Sequence, residues 1–192
     1  INHVIANPPS HWTIDAVGAG FDETCAELFP DNPELAELAW LEWAILDLVG
    51  APDAQPLSPQ DFAEASAGFG DEEWLSLGLT FGPCAQARLV RHDMTALWKS
   101  LSEDNTPADL RAFDEEQGCL VWREGERPTF LMTAPGAARA FSAMQMGARY
   151  GDLITLLAGD DPDQAAIEAA AQAAGGFLGQ WLAEGLVVAI RA

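Results

Sequence analysis

Catalysis needs nucleophiles, bases and charges at workable spacing, and this chain offers few. Its three histidines are His3, His11 and His92. His3 and His11 stand eight apart across Pro8-Pro9, which is not metal-ligand spacing on one helix. Cys25, Cys84 and Cys119 are far apart, and no Cys-x-x-Cys pair exists. Cys84 and His92 could form a thiol–imidazole dyad on paired strands, but no oxyanion donor or orienting third group is marked. Asp160, Asp161 and Asp163 could attract a cation, and a helix start explains the same cluster. Glu42 lies within an apolar stretch. It is either a functional carboxylate perturbed by those surroundings or a structural one bonded to backbone or indole N–H groups. Glycine-rich phosphate loops, the Gly-x-Ser-x-Gly elbow and His-Glu-x-x-His are absent. The expectation is a protein that is not an enzyme and holds no cofactor or metal of its own.

The elements that would position any site follow from turn residues and apolar spacing. Residues 1–76 read as a helical domain. Asn7-Pro8-Pro9-Ser10 is a turn, and Thr13 or Asp15 could cap a helix running to Phe29, with Phe21, Cys25 and Leu28 on one side. Pro30 to Pro33 separates it from a helix over 34–49. That helix carries Leu35, Leu38, Trp40, Leu41, Trp43, Ile45, Leu46, Leu48 and Val49, apolar nearly all round, which predicts a central helix. A proline-rich stretch over 50–59 follows, then a short helix at 61–67 and a turn at 71–77. Residues 77–118 read as a connector. It holds a strand over 77–81 that resumes over 84–91 after Pro83, a helix over 94–101 and an acidic helical turn within 107–116.

Residues 119–192 read as a small winged-helix-like module. Cys119 to Glu124 and Thr129 to Thr133 are β-prone runs around the turn Gly125 to Pro128. Helices are expected over 137–147 and 150–158. Asp160-Asp161-Pro162 signals the start of a longer one, with Ile167, Ala170, Ala174, Phe177, Leu178, Trp181 and Leu182 as its apolar stripe. Gly185 stops that helix, and residues 186–190 form a closing strand. The expected class is α+β: a helical N-terminal domain followed by this module.

Charge argues about the ligand. The chain carries 30 Asp and Glu against 9 Lys and Arg, a net −21. Residues 1–60 contain no Lys or Arg, and the five arginines of the tail (Arg123, Arg127, Arg139, Arg149, Arg191) are scattered, none of them in the last long helix. DNA readers neutralise phosphates with clustered basic residues and place contacts on a recognition helix, so nucleic acid is not the expected partner. No run approaches the roughly 20 apolar residues of a membrane span, and no signal peptide is visible. Three unpaired cysteines suit a reducing, cytoplasmic setting. Seven tryptophans are many for 192 residues. Trp40, Trp43 and Trp181 stand at core spacing, and one or two others could anchor an interface.

The run Glu34-Leu-Ala-Glu-Leu-Ala-Trp-Leu-Glu-Trp-Ala44, followed by Ala51-Pro-Asp-Ala54 and Pro56-Leu-Ser-Pro59, resembles a bacterial family long labelled as a DNA-binding domain, which includes HvfC- and BufC-type proteins. Asn7-Pro-Pro-Ser-His-Trp12, Ala96-Leu97-Trp98, Val121-Trp122-Arg123 and Trp181-Leu182 with Gly185-Leu186 fit it too, so the likeness spans nearly the whole chain. The resemblance implies a role like that of the methanobactin protein MbnC. The chain would be a non-catalytic partner of a multinuclear non-haem iron oxidase, holding the leader of a ribosomally made precursor peptide while the oxidase alters its cysteines. The iron would belong to the partner. Family members have further helices before the position of Ile1, so the N-terminal domain is expected to lack its start. The family tends to show Tyr where this chain has Val17. A module of this type can bind an extended peptide as an added strand at a sheet edge. The candidate edge is Thr129, Phe130, Leu131, Met132 and Thr133, with alternation giving one face to the interior and the other to the ligand. The candidate pocket wall is Phe177, Gln180 and Trp181. The alternative for all eight residues is that they are simply core. The competing reading is a transcription regulator using the same module on DNA, with an enzyme of unrecognised site third.

Overall fold

The computed structural model describes residues 2–8, 17–102 and 112–191. In chain order the elements are α1 (Asn2–Ala6), α2 (Phe21–Leu28), α3 (Pro33–Val49), α4 (Pro59–Ser66), α5 (Asp71–Ser76), β1 (Gly78–Phe81), β2 (Gln86–Val90), α6 (Met94–Ser102), β3 (Gln117–Glu124), β4 (Arg127–Thr133), α7 (Pro135–Gln145), α8 (Tyr150–Ala158), α9 (Gln164–Ala183) and β5 (Val187–Arg191). The class is α+β. Among the described residues no helix is long and apolar enough to cross a membrane. Pro9 and Ser10 of the expected turn, His11, the caps Thr13 and Asp15, and residues 107–111 of the turn expected within 107–116 lie outside the described residues. Residues 112–116 are not helical.

Local chemistry sets the ends of these elements. Ser58 caps α4 by accepting from the Asp61 N–H at 3.0 Å, and Pro59 opens it with its φ already helical. Asp163 caps α9 by accepting from Ala166 N–H at 2.8 Å. The cap is therefore Asp163 and not the Asp160-Asp161 pair, because Pro162 precedes the helix instead of opening it. Gly185 ends α9 at φ 71. There Leu186 N–H reaches Trp181 O at 2.9 Å and Gly185 N–H reaches Leu182 O at 3.2 Å, which satisfies two of the carbonyls a helix end leaves open. Gly147, at φ 103, ends α7 with the same pair of bonds, to Ala143 and Met144.

Two sheets form. β1 pairs antiparallel with β5, and β2-β3-β4 is an antiparallel three-stranded sheet. Residues 77–118, expected as a connector, thus supply a strand to each sheet. β3 begins at Gln117, so a boundary at 118/119 would cut a strand in its second residue. The closing strand pairs with β1 and not with the β3–β4 hairpin.

The three-stranded sheet is a wall between two cores. On one side Cys119 and Val121 join Leu41, Ala44 and Leu48 of α3, Val90, and Met94 and Leu97 at α6. On the other, Leu120 and Trp122 join Phe141 and Met144 of α7, Leu153 of α8, Leu178 and Trp181 of α9, and the β1–β5 pair. α3 is not enclosed all round. Leu41, Ala44 and Leu48 are buried, while Leu46, Val49 and Glu42 are exposed. Glu42 is therefore neither of the two buried carboxylates expected. The helix is apolar beyond the stripe that the sheet can cover, which is why periodicity overstated its burial.

Asp47 ties α3 to β2 by accepting from Gln86 Nε2 at 3.4 Å. Burial raises its carboxyl above the ordinary value of 3.8, and the Gln86 bond offsets this in part. A raised folded-state value means that the fold holds this proton more tightly than the unfolded chain does. The ionised group then subtracts stability above that window, and the loss disappears as pH falls to 3.8 and below. Asp47→Asn is expected to melt higher than the parent at neutral pH and to lose that advantage in acid. Paired thermal melts at the two pH values check it; an equal melting point at neutral pH refutes it.

Candidate peptide-binding edges

The outward phase of each sheet edge follows from one turn. β3 and β4 are joined by Gly125-Glu126, with Gly125 at φ 61 and Glu124 opposite Arg127. A two-residue turn closes on a bond from the N–H of its fourth residue to the C=O of its first, so Glu124 and Arg127 are a hydrogen-bonded pair. Hydrogen-bonded pairs recur every second residue, so Trp122–Thr129, Leu120–Leu131 and Gly118–Thr133 are bonded as well. The alternate β3 residues Gln117, Cys119 and Val121 then turn their backbone groups to Val90, Arg88 and Gln86 of β2. What remains outward is Phe130 and Met132 on β4, and Ala87 and Leu89 on β2. Two contacts in phase with Ala87 and Leu89 agree: Ala85 O accepts from Gln145 Nε2 at 2.6 Å, and Arg91 O accepts from Phe113 N–H at 2.6 Å.

β4 is an outer strand of its sheet, and no described strand pairs with its far side. Of the five candidates on it, Thr129, Leu131 and Thr133 direct their backbone groups to β3. Only Phe130 and Met132 offer theirs outward. Pro128, in the same phase, has no N–H to offer, a common blunting of edge strands. The expected free face is not there. Phe130 and Met132 pack on the α3–α6 core, with Phe130 edge-on to Trp98 at 5.9 Å, and Leu131 packs on the opposite core. The sheet is covered on both sides, so a ligand reaches β4 only along its edge.

Trp181 is 0% exposed. Phe81 and Phe141 stand edge-on to it at 5.4 and 5.8 Å, and Phe177 stacks on it at 6.2 Å. Its indole N–H finds no acceptor among the described residues. Phe177 and Gln180 are half-buried. The wall expected from Phe177, Gln180 and Trp181 is thus interior at Trp181, because the α9 stripe faces the core and not a cleft.

Two features were not read from the sequence. A groove of about 370 Å³ runs beside the outward edge of β2, lined by Ala87, Leu89, Ala138, Ala143, Met146 and Leu156 together with Arg88, Arg139 and Ser142. Only the register of β2 on β3, which has no short-range signal, could have placed it. The second feature is Glu37 on α3. Its carboxylate accepts from Arg91 N–H (2.7 Å), His92 N–H (3.1 Å) and His92 Nδ1 (3.0 Å), which pins the turn between β2 and α6.

The thiol–imidazole dyad of Cys84 and His92 has no support in the geometry of the described residues. Cys84 precedes β2 and His92 follows it, so five extended residues at about 3.3 Å each keep the dyad apart. Cys119 is fully buried, and burial, aided by the Glu37 charge, pushes its thiol up to about 12. That thiol stays protonated and is a poor nucleophile. Among the described residues no three His, Cys, Asp or Glu side chains converge to hold a metal ion.

Several arginines are engaged within the fold. Arg123 donates to Ala51 O, Pro52 O and Asp53 Oδ1 at 2.8, 3.1 and 2.8 Å, which joins two of the segments that carry the family resemblance. Arg191 donates to Leu79 O at 2.6 Å. Arg88 bonds Asp22 at 2.6 Å and lies over the Trp40 ring at 5.7 Å. No family model, curated protein or solved structure matches the chain.

Proposed function

We propose that this chain is a non-catalytic partner in peptide maturation, which holds the leader of a ribosomally made precursor peptide and presents it to a multinuclear non-haem iron oxidase. The observation that carries this reading is the outward backbone of Phe130 and Met132 on an outer strand, followed by three helices. That order, the β3–β4 hairpin and then α7, α8 and α9, is compatible with a winged-helix-like recognition module. Strand addition at β4 would supply backbone hydrogen bonds for affinity. Phe130 and Met132 would set the register. The resemblance to HvfC- and BufC-type proteins supplies the oxidase and the peptide class. The three free cysteines are compatible with a cytoplasmic setting. DNA binding is the weaker reading, because Arg88, Arg123 and Arg191 are occupied inside the fold.

The test is an affinity pull-down from native cell extract at moderate salt, read by mass spectrometry, with the parent chain and Met132→Pro side by side. The parent is expected to recover an iron oxidase and a short cysteine-bearing peptide. Met132→Pro removes an outward N–H and no bond to β3, so the peptide yield should fall about tenfold or more; because the methionine also packs on the α3–α6 core, circular dichroism on the variant must first show a native fold. Leu131→Pro would be the wrong variant, since its N–H faces β3. Equal peptide recovery with Met132→Pro rejects the β4 edge. Recovery of DNA with steeply salt-dependent affinity rejects the peptide role.

A further inference from the structure

The β2 edge is better equipped for a strand than the β4 edge is, and we infer that it is a second docking site, taking an extended peptide segment of alternating apolar residues with one carboxylate. Ala87 and Leu89 each turn an N–H and a C=O outward. The stretch is bounded at both ends, by Gln145 on Ala85 O and by Phe113 on Arg91 O. Between those bounds no described residue continues the sheet.

Side chains of Ala87 and Leu89 lie on the α7 side of the sheet, the side that holds the groove. An added strand would therefore drop every second side chain between β2 and α7. The walls suit apolar groups. Ala138 and Ala143 leave room, and Met146 is 84% exposed and Leu156 49% exposed at the rim. A methionine with that exposure is costly to leave in water and adapts easily to a partner. The volume of about 370 Å³ is within the usual range for a pocket that encloses a ligand.

Charge selects the carboxylate. Arg139 lines the groove with its side chain 58% exposed, and its one ion pair among the described residues is a long one, 3.9 Å to Glu116. Arg91 stands 4.0 Å from the same Glu116, so two arginines share one acid here. Arg139 is thus an exposed cation on the groove wall, whereas Arg88 on the same wall is engaged by Asp22. The chain's net charge of −21 opposes pairing with a second copy at long range, which favours a different chain as occupant. The two edges lie on opposite sides of one sheet, about 10 Å apart, so a segment on β2 leaves β4 free for another. This site does not depend on the β4 reading.

The experiment selects a phage-displayed library of random decapeptides on the immobilised full chain, then measures a synthetic copy of an enriched sequence by titration and amide NMR. Enriched peptides should alternate apolar residues and carry Asp or Glu, and binding should shift the Ala87 and Leu89 amides. Leu89→Pro, Met146→Glu and Arg139→Glu should each weaken binding about tenfold or more, while Met132→Pro leaves it unchanged. Met146 is exposed, so its variant keeps the fold and decides the matter if Leu89→Pro does not. An absence of enrichment overturns the inference. So does binding indifferent to Met146→Glu and Arg139→Glu. Binding lost only with Met132→Pro moves the peptide to β4, which supports the proposed function and rejects this site. A dimer dissolved by Met146→Glu also rejects it, since a second copy would then be the occupant.

Discussion

Gly118→Val will destabilise the fold by about 3 kcal/mol or more, and Gly118→Ala by about 1–3 kcal/mol. A Cβ at Gly118 would lie 2.8 Å from Ala138 Cβ, 2.8 Å from Thr133 Cγ2 and 2.9 Å from Ala134 O. None of these can swing away. One is backbone, one is the methyl of an alanine, and one is a β-branched group held by its own strand. Gly118 pairs with Leu89 on one side and Thr133 on the other, so β3 cannot retreat without lifting both neighbours. The start of α7 must move instead, and α7 carries the fully buried Ala137, Phe141 and Met144 into the core. Valine is a good strand residue by propensity, which makes it the sharper variant: any loss is packing and not backbone preference. Against a typical total of roughly 5–15 kcal/mol, this is a large share. Chemical denaturation followed by circular dichroism reads it. A neutral Gly118→Ala would mean that α7 does not rest on β3 at this point.

That glycine also shows what the sequence made legible and what it did not. Read along the chain, Gly118 ends a polar stretch and looks like the last residue of a linker. Its strand character comes from Leu89 and Thr133, partners 29 and 15 positions away. Local signals did much better. Tyr150 to Ala158 formed the expected helix, Gly185 stopped α9 where a left-handed residue was needed, and the β-prone runs around Gly125 made a hairpin. Each of these rests on conformational preferences within a few residues. The pairing of β1 with β5 joins Leu79 to Ile190 across most of the chain, and no short-range pattern encodes it. Burial failed for a related reason. Alternation along β4 implied one wet face, yet α3 and α6 cover Phe130 and Met132 from residues far upstream. The candidate edge was readable as a strand. Which of its residues face outward depended on the turn and on the register against β3.

Trp181→Ala should cost about 3–5 kcal/mol, the usual range for deleting an enclosed large aromatic side chain. Trp181→Phe should cost much less, about 1.5 kcal/mol or below. The reason is the orphan indole N–H. A buried donor without an acceptor costs about 1–3 kcal/mol, and phenylalanine removes it while leaving most of the ring against Phe81, Phe141 and Phe177. Trp122 provides the contrast within the same core. Its indole N–H donates to Glu184 O at 3.1 Å, so Trp122→Phe loses a real hydrogen bond and strands a carbonyl near the end of α9. The order of stabilities should be parent, then Trp181→Phe, then Trp122→Phe, with Trp181→Ala lowest, measured by denaturant unfolding. If Trp181→Phe falls as far as the alanine variant, its N–H has a partner and the aromatic cage is not its whole environment. The same variant separates core from site. Trp181 is enclosed, so a folded Trp181→Phe should bind peptide as the parent does. Loss of binding without loss of fold would return the α9 face to the binding surface and require the core around Trp181 to open when a ligand arrives.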